Sequence, residues 1–217
     1  LPRTVSSLAR AGFKRPRLFV DGCTSGYEHF GLPVTYHEEP LRTVGNFVLG
    51  LWEIYVRNPA ADRYAMFQDD LVTYTGLREY LSGLTYPTRG YLNLYTFPCN
   101  QALLGRRIGF HLSDQTGKGA VALVFSREAV TTLLGSQHII CRVQDKNRGH
   151  KNLDGGIIDS FHKAGWKEYV HNPSLVQHIG EVSSMGNDPH PQARSFMGED
   201  WDVRELIGTS CHASHLQ

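Results

Sequence analysis

The stretch Tyr64-Ala65-Met66-Phe67-Gln68-Asp69-Asp70-Leu71-Val72 constrains this chain more than any other. A short apolar run enters it, two adjacent carboxylates interrupt it, and apolar residues resume. A run of about four to eight apolar residues predicts a buried central strand. Charge is costly inside such a strand unless it is paired or bound to a metal. The two aspartates are therefore expected at the strand's carboxyl end, where open α/β sheets bind ligands. Carboxylate oxygens there suit Mg²⁺ or Mn²⁺, ions that bridge to substrate phosphates. An acidic turn after a strand gives the same sequence.

The rest of the chain alternates strand and helix signals. Residues 1–12 predict a short helix, with Pro2 in its first turn and Gly12 at its end. Residues 17–20 predict a strand stopped by Asp21-Gly22, and a further short strand is expected around Val34. The clearest helix is 43–57, where Val44, Phe47, Val48, Leu51, Ile54 and Tyr55 recur at helical spacing. A helix around 77–84, strands at 91–96 and 120–125, a helix at 127–134 capped by Ser126, a helix at 154–163 and a strand at 166–170 follow. This alternation predicts an α/β domain over residues 1–186, with a mostly parallel central sheet flanked by helices. Residues 187–217, rich in Pro, His, Gly and Ser, are expected to form an irregular tail. An α/β domain of this kind normally opens on a strand. This chain opens on a helix at Leu1, so an upstream strand is expected.

Charge and cysteine usage narrow the function classes. With a net charge of +1, no global field points to nucleic acid or membrane. The segment 142–151, carrying Arg142, Lys146, Arg148, His150 and Lys151, is a local basic loop that could meet phosphates. Cys23, Cys99, Cys141 and Cys211 are widely spaced, with no Cys-x-x-Cys, which predicts free thiols, a reducing compartment and a cytoplasmic location. No apolar run reaches membrane-spanning length.

Several constellations could carry chemistry. Asp69 and Asp70 are neighbours on an extended backbone, so their side chains diverge: one can bind a metal while the other meets a ribose or sugar hydroxyl. Asp154 precedes Gly155-Gly156 and an apolar helix. It reads either as a helix cap or as a general base facing an acceptor hydroxyl, the glycines leaving room for substrate. Asp159, five residues on, falls on another face. His178 lies in a compact Pro173–Gly180 segment and is a candidate metal ligand. Thr116-Gly117-Lys118-Gly119 resembles the end of a phosphate-binding loop, but Leu112 stands where the first glycine is required and Gly119 where Ser or Thr is required.

Taken in order, the strand, Gln68-Asp69-Asp70, Asp154 before a helix, and Pro173-Ser174-Leu175-Val176-Gln177-His178-Ile179-Gly180 with Ser183-Ser184 resemble a glycosyltransferase of the GT-A (Rossmann-like) fold. The closing segment is similar to that of the N-acetylglucosaminyltransferase IV family. The resemblance implies that Asp70 and His178 hold Mn²⁺ or Mg²⁺, and that Asp69 and Gln68 lie near the ribose or sugar of a UDP-sugar donor. It implies that Asp21 meets the nucleotide base, that Asn46 contacts the donor, and that Asp154 is the base of an inverting transfer. Gln68 departs from the family pattern, which carries an acid there. The implied acceptor is a hydroxyl on a glycan or small molecule, or on a hydroxymethylated DNA base as in compact phage-type enzymes. The alternative is a non-catalytic module that binds nucleotide sugar or nucleic acid on the same fold. A nucleotidyltransferase would want a Gly-rich basic loop near the N-terminus, and residues 1–20 have none.

Overall fold

The computed structural model describes residues 1–144, 153–180 and 191–207. Helix α1 (Pro2–Arg10) opens the chain, followed by β1 (Leu18–Asp21), β2 (Val34–His37) and the long helix α2 (Arg42–Arg57). Strands β3 (Arg63–Phe67) and β4 (Leu71–Thr73) flank the Asp69–Asp70 bend. Then come α3 (Leu77–Ser82), β5 (Gly90–Asn93), α4 (Pro98–Leu104), β6 (Gly109–Leu112), β7 (Ala122–Ser126), α5 (Arg127–Leu134), α6 (Gln137–Gln144), α7 (Leu153–Lys163), β8 (Lys167–Asn172) and β9 (Val176–His178).

The architecture is mixed α/β: a sheet core flanked by helices. The five-stranded sheet runs β3-β7-β5-β8-β6. Its strands β7 and β5 are apolar at successive positions because both faces are covered. Ala122 and Val124 join one core with Leu92, Leu77 and Leu175. Leu123 and Phe125 join the other with Tyr91, Leu51 and Phe161, on the side of α2, α5 and α7.

Two expectations need correcting. The sheet is mixed, not mostly parallel: β5–β8 is its parallel pair, while β3–β7, β5–β7 and β6–β8 are antiparallel. β7 follows β6 with no helix between them, so no crossover forces it parallel. The apolar run 64–67 is also not central: among the described residues, β3 is an edge strand, with Ala65, Met66 and Phe67 half-buried. It reads as buried in sequence because its side chains are covered: Tyr64 and Met66 pack with Val44 and Leu51 of α2, and Phe67 meets Phe13 with ring centroids 5.1 Å apart.

The start of the expected basic loop is helical, since Arg142 belongs to α6. The remainder of that loop, Lys146 to Lys151, lies outside the described residues, as do Ser183 and Ser184. Residues 191–207 lie against the body. Tyr74 stacks on Phe196 with ring centroids 4.6 Å apart, Thr75 bridges Asp202, and Val203 and Leu206 enter the core. Among the described residues, no helix is long and apolar enough to cross a membrane, and Cys23, Cys99 and Cys141 are free thiols.

Candidate functional site

The Asp69–Asp70 bend is made by a strand that changes partners. The Gln68 amide still donates to Val121 at 2.9 Å, completing the β3–β7 ladder. The chain then leaves that sheet, and β4 pairs antiparallel with β9 instead. The register sets Leu71 opposite His178, and the Ile179 amide donates to the Asp70 carbonyl at 2.8 Å. Two residues far apart in sequence are thus placed side by side by a three-residue ladder. His178 Nε2 lies 3.0 Å from Asp70 Oδ2; the imidazole is 6% exposed and the carboxylate 39%.

Two features that were not evident in the sequence support this pair. The first is α1, whose buried hydroxyls act as a partner for β4. Thr4 Oγ1 donates to the Asp69 carbonyl at 2.7 Å and accepts from the Leu71 amide at 3.3 Å. Ser7 Oγ accepts from the Thr73 amide at 2.9 Å and donates to its carbonyl at 3.2 Å. Their spacing of three puts both hydroxyls on one helix face, the only trace of this role in the sequence. The second is Gly180. A Cβ there would stand 2.5 Å from Asp70 Oδ2 and 2.8 Å from His178 Cε1, so a bare backbone keeps the space beside the pair open.

The pair sits at the edge of a cleft of about 1140 Å³, whose walls include Asp21, Asn46, Gln68, Asp69, Asp70 and His178. Six of the seven predicted site residues are therefore brought together. They do not all present free side chains. Both oxygens of Asp21 accept backbone amides, from Leu41 and Arg42 at 2.7 Å each, and so fix the start of α2. Asn46 donates to the Phe19 carbonyl at 3.1 Å and meets His37 Nδ1 at 3.0 Å, tying α2 to β1 and β2. Asp69 is exposed at the cleft and Gln68 half-buried. Arg42, also exposed, adds a cation to the same wall.

Asp154 is the seventh, and it stands apart. Its neighbour Leu153 lines the cleft, whereas Asp154 does not. Asp154 Oδ2 accepts the amides of Gly119 at 2.8 Å and Ala120 at 3.3 Å, joining the first turn of α7 to the loop before β7. This accounts for the glycines of the 116–119 loop that only resembles a phosphate loop. Gly117 and Gly119 have φ of +66° and +77°, and a Cβ would meet Ile158 and Tyr95 respectively at 2.5 Å. The loop is shaped by close packing on α7 and Tyr95.

No family model matches the chain, and no curated protein matches it in sequence.

Among the described residues, no group of three or more His, Cys, Asp or Glu forms a closed metal cage. A carboxylate and an imidazole 3.0 Å apart match two adjacent ligands of an octahedral ion with bonds of about 2.1 Å. Such an ion ordinarily keeps waters and takes further oxygens from substrate phosphates, so two protein ligands beside a roomy cleft suffice. The open space beside Gly180 fits the same reading.

Deeper in the fold, Glu168 is almost fully buried, and burial pushes its carboxyl above the usual carboxylate range. It accepts from Tyr91 and Asn93 at 3.1 Å each, and Asn93 also donates to the Lys118 carbonyl at 3.2 Å. The network braces the loop whose next two amides hold Asp154.

Proposed function

We propose that this chain is a metal-dependent transferase of the GT-A-like kind that moves a sugar from a nucleotide-diphosphate donor, UDP-linked in our reading, to an acceptor hydroxyl. The observation that carries the reading is the meeting of Asp70 and His178 at 3.0 Å on the wall of a cleft of about 1140 Å³, beside a glycine that keeps the approach open. In this reading Asp70 and His178 hold Mn²⁺ or Mg²⁺, and that ion supplies neutralisation of the departing diphosphate. Asp69, exposed beside the pair, hydrogen-bonds sugar or ribose hydroxyls. Gln68 lines the donor's side of the cleft. Arg42 adds a guanidinium suited to phosphate oxygens. Asp21 and Asn46 act one step back, by holding α2 and β1 in place. Asp154 takes the proton of the acceptor hydroxyl, its carboxylate oriented by the Gly119 and Ala120 amides. The acceptor is a glycan or small-molecule hydroxyl, or a hydroxymethylated base in DNA. Duplex binding that falls steeply with salt would favour DNA.

The test is a screen of UDP-sugars for hydrolysis and transfer with Mn²⁺ present, run beside Asp70→Ala. The reading expects one donor to be consumed by the parent protein and none by the variant. UDP and Mn²⁺ binding with no donor consumed would instead mark a non-catalytic nucleotide-sugar module.

A further inference from the structure

At the end away from β3 and the cleft, the five-stranded sheet closes on β6, whose partner is β8. The Ser113 amide donates to the Glu168 carbonyl at 3.1 Å, which sets the phase of this antiparallel ladder: Ser113, His111 and Gly109 turn their peptide groups to β8. The other side of β8 agrees. Its Lys167 amide donates to Arg89, which gives Lys167, Tyr169 and His171 to β5 and leaves Glu168, Val170 and Asn172 for β6. Phe110 and Leu112 therefore aim their amides and carbonyls outward. Among the described residues, no backbone or side-chain group meets them.

The surroundings of this edge are apolar. Leu103 near the end of α4, Ile108 and Leu112 are 52%, 54% and 51% exposed. Phe110 is half-buried, with its ring centroid 4.8 Å from that of His171. An edge that stays unpaired is usually blunted by lysine, proline, a bulge or an inward charge. β6 reads Gly-Phe-His-Leu and carries no charged residue or proline. Charge lies at its two ends instead, with opposite sign. Arg106, exposed, precedes the strand, and Asp114, whose Oδ1 accepts from the Thr116 amide and hydroxyl, follows it. A parallel copy of the same strand would set like charges together. An antiparallel copy sets the basic start of each strand against the acidic end of the other, so the edge is its own complement.

We propose that β6 is a dimerisation edge, paired antiparallel with β6 of a second copy of this chain about a two-fold axis at His111. In this register Phe110 of each copy lies opposite Leu112 of the other, and each such pair exchanges both backbone bonds, about four in all. Registers centred on Phe110 or on Leu112 leave one outward residue of each strand with nothing from β6 opposite it. The contact is isologous, the same patch serving both copies. The two His111 side chains meet across the axis at a non-hydrogen-bonded position, where Cα atoms stand about 4.5 Å apart. Leu112 covers Phe110 of the other copy, and Arg106 approaches its Asp114. The two sheets join edge to edge, with β3 and the cleft at the far end of each. The inference stands on the β6 edge and does not depend on sugar transfer.

The test is sedimentation equilibrium of the 217-residue chain, from about 1 µM to about 1 mM, beside Leu112→Lys. The expected result is a monomer–dimer equilibrium in the parent that is weaker by about tenfold or more in the variant, because each dimer then sets two ammonium groups against Phe110. Leu112 is exposed, so the variant keeps the fold. A parent that stays monomeric throughout, or a dimer that Leu112→Lys leaves as tight, would overturn the proposal. The register is read by mild oxidation of His111→Cys and Leu112→Cys, with the parent and its own thiols as the control. Position 111 meets itself across the axis, so His111→Cys should give the covalent dimer and Leu112→Cys little of it; equal or reversed yields would overturn the proposal. Amide exchange at Phe110 and Leu112 should slow as concentration rises. Slow exchange at both amides in a monomer would place another part of the chain on the edge and overturn it as well.

Discussion

Gly180→Ala is the sharpest perturbation of the candidate site, because it changes no ligand and removes no hydrogen bond. Gly180 has no left-handed backbone to lose, so the effect is steric. The new methyl would stand 2.5 Å from Asp70 Oδ2, whereas carbon–oxygen contact ordinarily begins at about 3.3 Å. The carboxylate or the glycine backbone must therefore give way by about 0.8 Å. Functional constellations tolerate about 0.5 Å, and metal bonds about 0.2 Å. The displacement exceeds both, and at 2.8 Å from Cε1 the methyl also presses on His178, which is boxed in by burial. Perturbing the groups around a metal typically costs about 10–100-fold in affinity, and that loss is expected here. The assay is titration calorimetry of UDP with saturating Mn²⁺, repeated with a chelator. Overpacking of this size costs about 1–3 kcal/mol, so the variant should stay folded, with a melting temperature lowered by about 2–12 °C. A folded variant that binds UDP and Mn²⁺ as tightly as the parent would refute the idea that a ligand rests on the Asp70–His178 pair.

Asp154 can be separated into its two roles by choice of substitution. Asp154→Asn keeps an acceptor for Gly119 and Ala120, so it should fold normally yet lose about 10²–10⁴-fold in turnover; wild-type turnover would leave the carboxylate a purely structural link. Ser7→Ala leaves the buried Thr73 amide without its hydroxyl partner, and denaturant unfolding should show a loss of about 1–3 kcal/mol. His171, fully buried against Tyr80, has its pKa pushed down by desolvation to about 4, against about 6.5 when unfolded. Between those values the unfolded chain holds the extra proton, so stability should fall as pH drops from about 6.5 to about 4, by up to about 3 kcal/mol. Glu168, pushed up by burial, works in the opposite sense but is common to both proteins when the parent is compared with His171→Gln. The difference between their unfolding curves should flatten above about pH 6.5 and shrink below it.

What was legible in the sequence follows from what each pattern encodes. Helical period exposed α2 and α5, and β7 announced itself by a run apolar on both faces. The same kind of run misplaced β3, because an edge strand covered by α2 on one face and Phe13 on the other has the same composition as a central one. Sheet direction was invisible, since alternation of helix and strand says nothing about a strand such as β7 that arrives without a crossover. The Asp70–His178 meeting could be anticipated from the resemblance, but its cause could not: β4 and β9 are too short for period-2 patterning, and the register that sets Leu71 opposite His178 is a tertiary fact. Asp21 and Asn46 have the residue types of ligand contacts, and only their partners show that they also brace backbone. Thr4, Ser7 and Gly180 went unnoticed because a helix hydroxyl and a loop glycine acquire meaning only from what stands next to them.

The measurement that bears most directly on this account is anomalous X-ray scattering from crystals soaked with Mn²⁺ and UDP. The account predicts a manganese peak within bonding distance of both Asp70 and His178, with the diphosphate on its open side and no peak in Asp70→Ala crystals. Manganese bound elsewhere, or UDP bound with the Asp70–His178 contact intact and no metal beside it, would contradict it.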